Sequence, residues 1–205
     1  MNISHNIARD LLTIGAVQIN TTDYFTWTSG LKSPIYCDNR LTMSYPTIRK
    51  SIAMAFKEKL NDLKLKPDVI AGCATAGIPH AAWLADIMDL PMVYVRSSPK
   101  GHGKGNQIEG QFKAGQKVVV IEDLISTGGS SIDAAQALQN EGADVLGVYA
   151  IFTYGLKKAD DNFKAINLDY TTLTTFDDLI QVYGEEESLT TSEKSTLITW
   201  RDSLK

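Results

Sequence analysis

The chain has 205 residues, 43 % of them hydrophobic and 21 % charged, which is the balance of a soluble globular protein long enough for a full core. Its formal net charge of −4 argues against a nucleic-acid partner held by bulk positive charge. No apolar run approaches the roughly 20 residues that span a bilayer, so no membrane partner is expected.

The N-terminal MNISHNIARDLL has no cationic segment followed by an apolar run, and no signal peptide is expected. Two cysteines, Cys37 and Cys73, lack metal-ligand spacing and fit a reducing, cytoplasmic compartment. Residues 3–15 have the apolar spacing of an amphipathic helix ending at Gly15. Val17–Ile19 and Tyr24–Trp27 are short strand candidates, Thr26–Pro34 reads as a turn, and Ile35–Cys37 reads as a strand running into Asp38-Asn39-Arg40. Pro46 is a favoured first-turn residue and predicts a helix to about Lys64. The first 45 residues are expected to form a hood over one end of a single domain spanning residues 1–205.

From Pro67 onward strands and helices alternate. Strands are predicted at Asp68–Gly72, Met92–Val95, Lys117–Ile121 and Val145–Phe152, with an edge strand at Gln107–Phe112. Helices are predicted at Ile78–Met88, after Ser131 up to Gly142, and near Leu156–Phe163. The tail reads as a strand near Ile166–Tyr170, a helix near Thr175–Tyr183, an acidic break at Gly184–Glu187 and a terminal helix near Thr190–Leu204 held by Leu197 and Trp200. The alternation predicts an α/β fold, a central mostly parallel sheet with helices on both faces. Ligands of such sheets bind at the carboxyl ends of the strands.

Three loops fall at those ends. In VVVIEDLISTGGSS a buried β-branched strand leads into Glu122-Asp123, a loop of hydroxyl and glycine residues, and then a helix. A surface loop with an ordinary helix cap would share some of this composition. The carboxylate pair favours a ligand site, with sugar hydroxyls on the acids and a phosphate on the loop N–H groups and helix N-terminus. Arg96-Ser-Ser-Pro-Lys100-Gly-His102-Gly-Lys104-Gly105 reads either as a solvated loop or as a cationic arm for a pyrophosphate. Gly72-Cys-Ala-Thr-Ala-Gly-Ile-Pro79 reads either as a tight turn packed through small residues or as a loop whose backbone meets the pyrophosphate. Cys37 and Cys73 read as small buried residues, Trp27, Trp83 and Trp200 as packing, and Glu185–Glu187 as a solvated turn. His5 and His80 have no partner visible in the sequence.

IEDLISTGGSS resembles the phosphoribosyl-pyrophosphate (PRPP) motif of the type I phosphoribosyltransferases. The resemblance implies that Glu122 and Asp123 lie under the ribose 2′ and 3′ hydroxyls. It also implies that Leu124, Ile125, Ser126, Thr127, Gly128, Gly129 and Ser130 complete the PRPP-binding stretch, with Ser126–Ser130 around the 5′-phosphate. RSSPKGHGKGNQIEG resembles the mobile catalytic loop of the orotate phosphoribosyltransferases, which closes over the site of the neighbouring subunit. Arg96, Lys100 and His102 match that family's functional positions and are expected to bind PRPP and to act in catalysis. Ser97 stands where many members carry a second lysine, and Lys104 is a candidate to support the grip.

Ala74, Thr75, Ala76 and Gly77 match the family's pyrophosphate loop, and FTWTSGLKSP is similar to its orotate-binding hood, with Ser126 as an orotate contact. Many relatives have lysine at the position of Thr28, and some have an arginine near Thr153–Gly155. This chain has neither, which leaves Lys32 or Arg40 as candidates for that charge. The resemblance implies the joining of orotate to PRPP in pyrimidine biosynthesis. It further implies Mg²⁺ carried mainly by substrate oxygens, with no metal site on the protein, and a homodimer with shared active sites. Two rivals remain open: a phosphoribosyltransferase for a purine base or uracil, and a non-catalytic PRPP-sensing regulator.

Overall fold

A computed structural model describes residues 2–26, 30–98, 107–187 and 189–204. Helix α1 (Ile3–Thr13) is capped by the Asn2 side chain, which accepts from Ser4 N at 3.1 Å, and it buries Ile7, Ala8 and Leu11. Strands β1 (Val17–Ile19), β2 (Phe25–Thr26), β3 (Lys32–Ser33) and β4 (Ile35–Cys37) make two small antiparallel ladders, β1 with β4 and β2 with β3. The stretch read as a turn from Thr26 therefore has paired ends, Thr26 on Lys32 and Phe25 on Ser33. A 3₁₀ helix at Asn39–Ser44 follows, started by the Asp38 side chain accepting from Arg40 N. Helix α2 (Pro46–Asn61) begins at the expected proline.

The remaining elements are β5 (Val69–Cys73), α3 (Gly77–Met88), β6 (Met92–Val95), β7 (Ile108–Glu109), β8 (Lys117–Ile125), α4 (Gly129–Asn140), β9 (Asp144–Thr153), α5 (Lys157–Ala165), β10 (Tyr170–Thr175), α6 (Phe176–Glu187) and α7 (Thr191–Ser203). Among the described residues the main sheet runs β10-β9-β8-β5-β6-β7, parallel throughout except for the antiparallel β6–β7 pair. The apolar residues of the central strands alternate between its faces. Ile70, Val119 and Ile121 pack with α1, α2, α3 and α6 residues such as Leu11, Phe56, Leu84 and Leu179. Val69, Ala71, Val118 and Val120 pack on the opposite face with Ala135 and Leu138 of α4 and Phe163 of α5. Both faces are covered, as a parallel sheet requires. No helix among the described residues is long and apolar enough to cross a membrane.

Three differences from the sequence reading have clear causes. The last strand lies at Tyr170–Thr175, not Ile166–Tyr170. Ile166 and Leu168 instead close α5 in a turn, both donating main-chain bonds to Phe163 O, with Asn167 at φ +52°. The polar TTLTT run suits an edge position through its β-branched residues, and Ser4 Oγ of α1 donates to Thr174 Oγ1 at 3.3 Å. Helix α6 continues through Gly184 to Glu187 in place of the expected break. Reciprocal bonds between Thr175 and Asp178 start it, and buried Leu179, Ile180 and Val182 hold it on the core, which offsets the roughly 1 kcal/mol cost of a mid-helix glycine. Finally, β8 extends to Ile125, so Glu122 and Asp123 lie within the strand rather than beyond it.

That extension positions the site. On one side β8 stays paired with β9 as far as Ile125↔Thr153. On the other side pairing with β5 stops at Gly72↔Ile121. The segment from Glu122 onward therefore overhangs β5, and its free edge faces the loop that leaves β5. His5 and His80 both find partners in the fold. His5 Nε2 lies 3.6 Å from Asp178 Oδ1, and His80 Nε2 lies 3.4 Å from Thr42 Oγ1, its ring edge-on to Trp83. Trp83 and Trp200 pack as expected, Trp83 under the Arg49 guanidinium and Trp200 against Tyr154 and Phe176. Trp27 and Thr28 fall outside the described residues.

Candidate active site

The loop after β5 is pressed against the end of β8. A Cβ on Gly77 would stand 2.3 Å from the Ile121 carbonyl oxygen and 3.2 Å from Glu122 Cα. Only glycine lets α3 start that close, so this residue is explained by packing. The close approach sets Ala74, Thr75 and Ala76 beside the acidic pair, with Ala74 N donating to Val95 O at 2.9 Å. The Ala74–Thr75 peptide is cis.

The loop after β8 is fixed from two sides. Gly128 precedes α4 at φ +83°, and a Cβ there would come within 2.6 Å of the Phe163 ring. Thr127 O accepts from Asn162 Nδ2 of α5 at 2.9 Å. The first-turn N–H groups of α4 have no intrahelical partners and are available to an anion. Ile125 is buried in the core and its carbonyl accepts from Thr153 Oγ1 at 3.0 Å, so its side chain does not reach the cleft.

Glu122 is 4 % exposed. One carboxylate oxygen accepts from Asp123 N at 3.0 Å and the other from Ser130 Oγ at 3.1 Å. Burial first, and the adjacent Asp123 charge second, push its carboxyl above the ordinary range, and burial raises Asp123 in the same direction. The free protein therefore resists carrying two full negative charges here. Cys37 and Cys73 thiols are also pushed up, by burial and then by neighbouring carboxylates, which leaves them poor nucleophiles.

The acidic pair faces a cleft of about 350 Å³ lined by Ala74, Thr75, Ala76, Glu122, Asp123, Leu124 and Ser130, with Cys37, Asp38 and Arg40 as the opposite wall. That wall is tied to the strand by Asn39. Its buried Nδ2 donates to Asp123 O at 2.7 Å, and its own carbonyl accepts from Thr42 Oγ1 at 2.6 Å. Asp38 and Asn39 were not singled out from the sequence. The available signal was a polar triplet, Asp38-Asn39-Arg40, at the end of a partly buried strand; the partner of Asn39 lies 84 residues away.

Arg96 directly follows β6 and is not part of the cleft lining. Its main chain exchanges bonds with Gln107, its Nη1 lies 3.4 Å from Glu109 Oε1, and its buried Nε has no partner among the described residues. Lys100, His102 and Lys104 fall outside the described residues. Of the other candidates for a positive charge, Lys32 donates to Thr26 Oγ1 at 2.7 Å and does not line the cleft. The strand-end segment from Thr153 turns into packing, with Tyr154 buried against Phe152 at a centroid distance of 5.0 Å. Among the described residues no three His, Cys, Asp or Glu side chains gather as a metal site.

The family profile for the phosphoribosyl transferase domain matches residues 44–187. Across its length the chain is similar to the orotate phosphoribosyltransferase of Oceanobacillus iheyensis, 64 % identical over 98 % of this chain and all of that protein. The solved structure of orotate phosphoribosyltransferase from Aeropyrum pernix superposes with a TM-score of 0.77 at 27 % identity, covering 87 % of this chain and 98 % of that one. UMP synthase of Leishmania donovani superposes with a TM-score of 0.80 at 26 % identity over 98 % of this chain, which spans 42 % of that longer protein. A carboxylate pair overhanging a parallel sheet, a phosphate-ready helix start beside it and a likeness of this extent lead to one conclusion: the chain belongs to the orotate phosphoribosyltransferase family of the type I phosphoribosyltransferases.

Proposed function

We propose that the protein transfers the 5-phosphoribosyl group from PRPP to N1 of orotate, giving orotidine 5′-phosphate and pyrophosphate, as a step of pyrimidine biosynthesis in the cytoplasm. The observation that carries this reading is the cleft itself. Two carboxylates for sugar hydroxyls, an open helix start for the 5′-phosphate and the Ala74–Gly77 loop meet at one strand end.

In this account PRPP lies along β8. Asp123, less buried than Glu122, accepts from a ribose hydroxyl, and Glu122 holds the other while its bond from Ser130 keeps α4 in place. Ser126–Ser130 surround the 5′-phosphate, and Ser126 also meets orotate. The charge of orotate lies on its carboxylate, and N1 carries a proton. The bond from C1 to pyrophosphate breaks as the bond to N1 forms, positive charge grows on the ribose ring, and the N1 proton passes to the departing pyrophosphate or to water. The acidic pair stabilises that charge most when both members are ionised, which their burial opposes until a cation arrives. The oxygen donors Glu122 and Asp123 suit a hard ion carried on the substrate, and Mg²⁺ bound mainly by pyrophosphate and ribose oxygens would supply charge neutralisation there. Arg96, Lys100 and His102 are assigned to the departing pyrophosphate, with the loop acting across a homodimer. A single domain with residues 1–45 as the base-side hood fits the placement of Cys37, Asp38 and Arg40 on the cleft wall.

Pyrophosphate release from PRPP with orotate, uracil, adenine and hypoxanthine tests the reading. Release with orotate alone is expected. Release with another base instead, or PRPP binding without turnover of any base, overturns it.

A further inference from the structure

Resting on that function, we infer that Arg40 is the receptor for the carboxylate of orotate and so determines the choice of base. Orotate differs from uracil by a carboxylate on the carbon next to the nitrogen that is joined to ribose. Its receptor must therefore stand on the cleft wall facing the ribose site. That wall is Cys37, Asp38 and Arg40. The described residues lining the cleft carry three carboxylates, Asp38, Glu122 and Asp123, and one cation, Arg40. Of the charged side chains described in the lining, only the guanidinium attracts an anionic base.

Arg40 is pre-oriented, and among the described residues only part of its guanidinium is engaged. Its Nε donates to Asp38 Oδ1 at 2.6 Å and its Nη2 to Asp38 Oδ2 at 2.8 Å, while Asp38 Oδ1 also accepts from Arg40 N at 3.2 Å. Asp38 thus occupies one side of the planar fork. A guanidinium has five N–H donors, and the end formed by Nη1 and the second Nη2 hydrogen matches another carboxylate in a bidentate pair. Between Asp38 and Arg40 sits Asn39, whose amide reaches Asp123 O. Three consecutive residues therefore set the spacing between the guanidinium and the ribose motif. Among the described residues the other candidates are otherwise engaged: Lys32 bonds Thr26 and lies off the cleft, and β9 ends at Thr153 and is followed by Tyr154-Gly155, with Tyr154 buried.

The test measures KM for orotate, the orotate-to-uracil rate ratio, and PRPP affinity in the absence of a base. Arg40→Ala is expected to raise KM for orotate by about 10- to 100-fold, the worth of a charge-assisted hydrogen-bond pair, and to narrow the preference over uracil by a similar factor. PRPP affinity should change less than about threefold, because the guanidinium does not hold the sugar. Arg40→Lys, which keeps the charge and loses the fork, should fall between the two, and it carries the test should Arg40→Ala not fold. Asp38→Asn should raise KM for orotate more mildly by loosening the guanidinium. An unchanged orotate KM in both Arg40 variants, or an equal loss for orotate, uracil and PRPP, overturns the assignment. Wild-type protein that does not join orotate to PRPP refutes the proposed function instead, so the two failures are distinct.

Discussion

Truncating Asn39 should damage folding and catalysis together, because one amide joins the base-side wall to the ribose strand. Asn39 is 1 % exposed, and its Nδ2 donates to Asp123 O at 2.7 Å while its Oδ1 accepts from Cys37 Sγ at 3.4 Å. Asn39→Ala leaves the Asp123 carbonyl without that donor, a loss of about 1–3 kcal/mol for a buried acceptor. The thiol is a weak donor and adds little, and the small void left by the amide brings the total to about 2–3 kcal/mol. For a chain of this size that corresponds to roughly 4–12 °C in Tm. The wall carrying Asp38 and Arg40 is then free to drift from Asp123, and a misplacement of ~1 Å in a reacting pair can cost about 100-fold in rate. Guanidinium unfolding gives the first quantity, and steady-state kinetics with both substrates varied gives the second. Asn39→Asp keeps the shape and replaces the donor with an acceptor facing a carbonyl, so it should be no more stable than the alanine variant at neutral pH. Stability of Asn39→Ala within about 0.5 kcal/mol of the parent, the range of a neutral surface change, together with unaltered kcat/KM would refute this coupling.

Two buried groups give the ligand-free protein opposite pH slopes. Glu122 has its carboxyl raised by burial and by Asp123, so the fold favours its protonated form; that stability is present below the unfolded carboxyl pKa and is lost as pH rises through the folded one. Glu122→Gln should flatten the decline in urea stability toward neutral pH. His80 is pushed down by burial from 6.5 to about 4, so its contribution is complete above the unfolded value and lost as pH falls across that window, up to about 3 kcal/mol; His80→Gln should remove this acid-side slope. Gly77→Ala forces a Cβ to 2.3 Å from Ile121 O and should cost about 1–3 kcal/mol while weakening PRPP binding, whereas Gly129→Ala, with nothing within 4 Å of its Cβ, should leave folding stability within about 0.5 kcal/mol; equal effects in unfolding titrations would contradict the packing argument. Lys100→Ala should lower kcat a few hundred-fold, about 3–4 kcal/mol of barrier, and mixing it with Asp123→Asn protein under subunit exchange should restore activity in hybrids; no restoration would argue against a shared site.

The sheet is legible because its central strands contain apolar runs, β-branched in β8, and the alternation from Val69 to Phe152 leaves few other arrangements. The acidic pair and the helix start after it were legible as local chemistry. Sequence places the last strand too early because Ile166 and Leu168 mimic a short apolar strand, while Thr171–Thr175 looks polar when its edge position and its cover by α1 are unknown. Gly184 looked like a stop because local propensity does not register the buried face of α6. Two features of the site are tertiary facts. Gly77 looks like a ligand loop residue until the Ile121 carbonyl is seen against it, and Asn39 is silent without Asp123 opposite. Asp38 and Arg40, only two residues apart, form a pair that could have been read locally, but their place on the cleft wall could not.

The most direct test of the account follows the absorbance of orotate after adding PRPP and Mg²⁺ to the purified protein. The account predicts a loss of orotate stoichiometric with the limiting PRPP, orotidine 5′-phosphate as product, and return of the signal on adding excess pyrophosphate. Unchanged absorbance, or PRPP breakdown with orotate left intact, would contradict it.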